Sequence, residues 1–210
     1  MTAADMEIAV IDYGMGNLRS VQKAFERVGY QAVVTRDADR IRAAAGVVLP
    51  GVGAFGACME NLRAHQLEPT VQRVVEDGTP FLGICLGMQL LFEESEEFGP
   101  VKGLGILPGT VKRFEATAER KVPHMGWNRI QKRAPSRHLD GIEDGSFVYF
   151  VHSYYVAPRD PEIIAASTDY GFEFTSAIVR DNVFATQYHP EKSQAVRLKI
   201  LENFGAICAG

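Results

Sequence analysis

Gly83-Ile84-Cys85-Leu86-Gly87 places a cysteine between glycines at the end of an apolar run. It has the form of a G-x-S-x-G nucleophile elbow with sulfur in place of the hydroxyl. In such an elbow a sharp strand-to-helix turn strains the nucleophile's backbone, and the glycines let neighbouring chain approach without a clash. The competing reading of Cys85 is a small apolar residue in a packed core. A free thiol, with a pKa of about 8.5, is only a few per cent thiolate at neutral pH. A helix N-terminus contributes at most ~2 kcal/mol toward ionising it, so a catalytic thiolate would depend at least as much on a histidine.

Five histidines are available. His65 and His138 lie in polar stretches and are expected in solvent. His124 in "VPHMGW" and His152 in "FVHSYY" sit among aromatic strand residues, where a hydrogen-bonded structural role is expected. His189 ends a strand-like run, and Pro190 biases it toward extended backbone. Residues two apart on extended chain face the same side, so Glu191 could hold the His189 ring and stabilise its charged form. Alternatively, Pro190 ends the strand and Glu191 caps the following helix. Read alone, the segment leaves both open.

"GVGAFG" (51–56) matches the G-x-G-x-x-G dinucleotide fingerprint and follows a strand-like run. The acidic residue that should hold a ribose belongs after the next strand, whereas Glu76 and Asp77 precede it. A nucleotide-binding module is therefore the weaker reading of that loop.

These groups need a scaffold. "EIAVID", "YQAVVT", "AGVVLPG" and "PFLGIC" are short apolar runs separated by helical patterns, including 18–28, 56–77 with a break near Pro69, and 86–94. The second half reads as strands in "TVKRF", "HMGWNRI", "SFVYFVHSYYV", "EIIAAST", "TSAIVR" and "VFATQYHP", then a closing helix. The fold class expected is α/β: a central, mostly parallel sheet flanked by helices, with antiparallel strands added in the second half, as one domain over 1–210. Ligands in such sheets gather at the carboxyl ends of strands, which here are the turns at Tyr13–Asn17, Pro50–Gly53 and Cys85–Gly87.

Composition excludes other classes. A net charge of −4 gives no basic footprint for nucleic acid. No run of ~18 apolar residues suggests a membrane span, and "MTAADMEIAV" does not read as a signal peptide. Three scattered cysteines suit a reducing cytoplasm, and the lack of paired Cys or His spacing gives no metal site and no cofactor.

Cys85 in its elbow and His189-Pro190-Glu191 after a late strand together supply nucleophile, base and orienter. In Gly-Ile-Cys-Leu-Gly-Met-Gln (83–89) and His-Pro-Glu (189–191) the chain resembles the class I, triad-type glutamine amidotransferases, over nearly its whole length. "DYGMGNL", "LPGVGAF", "PHMGWN", "FVHSY" and "QYHPEKS" are similar to the glutaminase subunits of imidazole glycerol phosphate synthases. A glutaminase serving another synthase is the runner-up. The resemblance implies Cys85, His189 and Glu191 as the triad. It implies backbone N–H groups of Val52 and Leu86 as the oxyanion hole, and Gly53, Gln89, Ser153 and Tyr154 as glutamine contacts. It also implies a heterodimer with a (β/α)8 cyclase that receives ammonia, met through Asn17, Trp127, Tyr149 and Lys192. Tyr154 could equally pack the sheet, Trp127 the core, and Lys192 carry only a solvated charge.

Overall fold

The computed structural model describes residues 6–192 and 194–210, with the side chains of 194–197 left aside. The readings made on the first five residues and on Ser193 lie outside it. Strands and helices alternate first: β1 (Glu7–Ile11), α1 (Leu18–Arg27), β2 (Gln31–Thr35), α2 (Ala38–Ala43), β3 (Gly46–Gly51), α3 (Phe55–Ala64), α4 (Glu68–Glu76), β4 (Phe81–Cys85) and α5 (Leu86–Gln89). Strands then dominate: β5 (Phe92–Ser95), β6 (Val101–Lys102), β7 (Leu107–Arg113), β8 (His124–Arg129), β9 (Gln131–Lys132), β10 (Phe147–His152), β11 (Tyr154–Pro158), β12 (Ile164–Asp169), β13 (Glu173–Arg180) and β14 (Val183–Thr186). α6 (Gln194–Ala209) closes the chain.

The large sheet runs β2-β1-β3-β4-β14-β13-β11-β7-β5-β6, with β12 on β13 and β9 on β12. Its first five strands are parallel, and β13 turns the pairing antiparallel. β3 and β4 are buried at every residue, as expected of parallel strands covered on both faces. One half of the core joins Phe55, Leu62 and Val71 of α3 and α4 to the sheet. The other joins Val21 and Phe25 of α1 to Leu201 and Phe204 of α6. β8 and β10 form a separate two-stranded ribbon.

Four local expectations change. The helix expected over 86–94 stops at Gln89, and Phe92–Ser95 is a strand paired with β7. The break in the second helical stretch falls at 65–67, where Gln66 takes φ +55°, while Pro69 sits in the first turn of α4. The run 146–156 splits at Ser153 into β10 and β11, which belong to different sheets. α2 is an added element, its first N–H groups capped by the Asp37 carboxylate.

Candidate active site

Cys85 ends β4 at φ +56°, ψ −110°, a conformation that costs a non-glycine residue on the order of 1–3 kcal/mol. Close packing on both sides holds it there. A Cβ on Gly87 would run into the Leu49 carbonyl. One on Gly51, the residue beside Cys85 in the β3–β4 register, would lie 2.8 Å from the Gly87 nitrogen. The glycines of the motif are therefore contact surfaces between β3, β4 and α5. Because α5 has only 4 residues, its dipole is far smaller than that of the longer helix expected from the sequence. Support for a thiolate falls to the histidine.

β14 is the strand beside β4, with Thr186 opposite Ile84. Three residues on, the His189 N–H donates to the Tyr149 carbonyl at 3.1 Å, and Lys192 N–H closes a turn onto the His189 carbonyl. Glu191 faces the imidazole within that turn. Its Oε1 lies 2.8 Å from His189 Nδ1, and the two side chains are 1% and 2% exposed. Of the two sequence readings of Glu191, the geometry takes the one that orients the ring. Burial by itself would depress the imidazolium. The charge and hydrogen bond of Cys85, and then the hydrogen bond and charge of Glu191, outweigh it and raise His189 to about 10. Such a histidine is charged at neutral pH and faces the Cys85 sulfur as a cation.

A cavity of about 190 Å³ opens over the sulfur. Val52, Gly53, Leu86, Gln89, Ser153 and His189 line it together, and so does Lys192, which the resemblance places at the partner interface. The Tyr154 side chain packs against the core, but its carbonyl accepts from Gln89 Nε2 at 3.0 Å. The Pro50–Gly53 loop is tied down from behind: Tyr13 Oη donates to the Pro50 carbonyl at 2.8 Å, and Cys58 Sγ lies 3.5 Å from that of Val52. At the start of α3, where a dinucleotide phosphate would sit, the Phe55 N–H is taken by the Glu97 carboxylate at 2.5 Å. This argues against the nucleotide reading of "GVGAFG". A larger cavity of about 690 Å³, between Gln72, Leu104 and Asn182, contains none of these groups.

Trp127 and Tyr149 are opposed in the β8–β10 ribbon, with ring centroids 5.9 Å apart, and Lys192 Nζ lies 5.7 Å from the Tyr149 ring. Trp127 is 50% exposed, so its core reading is set aside. Asn17 opens α1 without a side-chain cap bond. The other face of the ribbon is buried. His124 and His152 hydrogen-bond there at 3.0 Å, the structural role expected of them. His138 departs from expectation: it is buried and stacks on Phe184 at 4.3 Å.

Two residues in or next to the cavity had not been singled out. Glu97 stands in the acidic run "EESEEFGP", just beyond the helix expected over 86–94. Gln187 lies two residues before His189, and the same-side argument that picked Glu191 applies equally to it.

The model for the family "Glutamine amidotransferase class-I" matches residues 9–208, and the chain belongs to that family. Among curated relatives it is 57% identical over 203 residues to "Imidazole glycerol phosphate synthase subunit HisH" of Syntrophotalea carbinolica, covering 94% of this chain and 98% of that one. It is likewise 57% identical over 205 residues to the protein of the same name from Geobacter sulfurreducens, covering 95% and 98%. Among solved structures it resembles a glutamine amidotransferase with TM-score 0.74 at 20% identity, covering 97% of this chain and 99% of the other. It also resembles a chain of PurLQS from Thermotoga maritima with TM-score 0.72 at 16% identity, covering 97% of each chain. At such identities these structures speak for the fold.

Proposed function

We propose that the chain is the glutaminase subunit of an imidazole glycerol phosphate synthase, an enzyme that hydrolyses the amide of glutamine and serves histidine biosynthesis. The carrying observation is the strained Cys85 next to a buried His189–Glu191 pair, in a chain 57% identical to a HisH subunit. In this reading the Cys85 thiolate attacks the side-chain amide carbon of glutamine. The oxyanion that forms takes N–H donors from Leu86 and Val52. His189 passes its proton to the departing nitrogen, and ammonia leaves a glutamyl thioester. His189 then takes a proton from water, which releases glutamate. Gln89, Gly53 and the Ser153–Tyr154 backbone hold the substrate. Glu97 places a carboxylate on the cavity wall, suited to the substrate's ammonium group.

The partner in this reading is the (β/α)8 cyclase subunit. The ribbon supports it: Met125, Trp127 and Phe147 are 63%, 50% and 49% exposed, a run of apolar surface that ends at Lys192 on the cavity wall. The decisive assay measures glutamate release from glutamine by the purified chain alone, and then with an imidazole glycerol phosphate synthase cyclase and its ribotide ligand. The expected result is a low rate alone, a rise of at least ~10²-fold with the liganded cyclase, and loss of both in Cys85→Ser. Strong turnover indifferent to the cyclase would remove the assigned synthase.

A further inference from the structure

Gln187 is fully buried and takes no part in the chemistry above. Its orientation follows from an account of donors that begins at the Tyr154 carbonyl, which can only accept. The Gln89 atom 3.0 Å from that oxygen is therefore its NH2 nitrogen. The same nitrogen lies 2.9 Å from the Gln187 side chain, so Gln187 presents its oxygen there. Its own NH2 is left facing the Cys85 sulfur at 3.7 Å. Flipping either amide would set donor against donor or acceptor against acceptor.

The Tyr154 carbonyl is itself anchored from a second side. His152 Nδ1 meets it at 2.8 Å, so this nitrogen carries the proton. Burial keeps the ring neutral, holding His152 down at about 3. Its Nε2 must then accept from His124 Nδ1. His124 Nε2 in turn accepts from Asn128 Nδ2 at 3.3 Å, and that amide also donates to the Asp169 carbonyl at 2.8 Å. Every donor in the chain has one direction available to it.

We propose that Gln187 is a positioning residue for the nucleophile: a fixed N–H donor that holds the Cys85 thiolate on the His189 side of the cavity, its direction set by the Tyr154 carbonyl through Gln89. The proposal rests on the glutaminase reading of the site. Other ionisable groups reach the same sulfur. His189 faces it with Glu191 behind, and Glu97, Lys192 and neutral His152 line the cavity. Tyr13 and Cys58 lie on the opposite side of the Pro50–Gly53 loop. A test must therefore change Gln187 and leave these groups in place.

The experiment is iodoacetamide alkylation of the full chain across a pH series, with the Cys85 peptide quantified by mass spectrometry, for wild type and Gln187→Met. Removing a charge-assisted donor should displace the profile upward by about one pH unit. Alkylation near pH 7 should then be ~10-fold slower, with the high-pH plateau unchanged. Gln187→Glu keeps the acceptor that Gln89 needs but sets a carboxylate oxygen against the sulfur, so its profile should move further. It also decides the matter if the methionine variant does not fold. Profiles that superimpose on wild type, or a shift in Gln187→Met with none in Gln187→Glu, would overturn the proposal. Alkylation requires no glutamine turnover. A failed glutamate assay beside a shifted profile would thus sink the glutaminase reading and leave the donor assignment standing.

Discussion

At the scale of single residues, His189 stands as a cation beside the Cys85 sulfur, and Glu191 is the group behind it. The Glu191 carboxylate is buried with the imidazole and holds Nδ1 at 2.8 Å, so that in the proposed mechanism it is Nε2 that serves the sulfur and the leaving nitrogen. Glu191→Gln preserves shape while removing the charge and allowing the wrong tautomer. Steady-state kinetics in the presence of the activating partner should show kcat lowered on the order of 10²–10⁴-fold with KM little changed. A change confined to KM would mean that Glu191 serves binding alone. Much at this scale was legible in the sequence, because Cys85 and the His189-Pro190-Glu191 segment are local patterns with local geometry. Glu97 was not, since its value comes from contact with Phe55, 42 positions away in the chain. His138 misled for a related reason: a polar neighbourhood in sequence says nothing of the Phe184 ring that covers it.

At the scale of elements, β3, β4 and α5 approach one another at Gly51, Gly83 and Gly87, where an added Cβ would meet backbone of the facing element within about 3 Å. Gly87→Ala places a methyl group in the Leu49 carbonyl, and backbone cannot rotate away as a side chain can. Its denaturant midpoint should fall by an amount equivalent to about 1–3 kcal/mol, with glutaminase activity lost even in the fraction that remains folded. A midpoint equal to wild type would show that the elbow has room to relax. The alternation of strand and helix up to Cys85 could be read from apolar periodicity. What followed could not. Leu90, Leu91 and Phe92 are all fully buried, and an apolar run of that kind is compatible with helix or strand. The decision came from β7, whose Leu107 pairs with Phe92. The split at Ser153 has the same origin, because β10 and β11 take partners in different sheets.

At the scale of the whole molecule, buried histidines set the pH range of stability. Burial lowers His124 to about 4, His138 to about 4 and His152 to about 3, whereas the unfolded chain takes up these protons near 6.5. The unfolded state then binds more protons below 6.5, so stability falls as pH drops from 6.5 toward 4. His189 has the opposite sign. Raised to about 10, it contributes stability that is complete below its ordinary 6.5 and is lost as pH rises through about 10. Thermal unfolding followed by circular dichroism should show the highest midpoint near pH 7 and a decline toward pH 5. His138→Phe, which keeps a ring against Phe184, should make the acid limb shallower. An acid limb unchanged by that substitution would refute the assignment of His138.

The position of β14 in the sheet has a consequence for the order in which the protein is made. β14 lies between β4 and β13, yet among the described residues it follows both of them in the chain. A nascent chain that has emerged only as far as Arg180 already carries the nucleophile, but its sheet is open at the place where the base must enter. The final strand fills that gap and brings His189 and Glu191 with it. Nucleophile and base, 104 positions apart in the chain, thus meet only when β14 has inserted beside β4, and closure of the sheet and assembly of the site are one event.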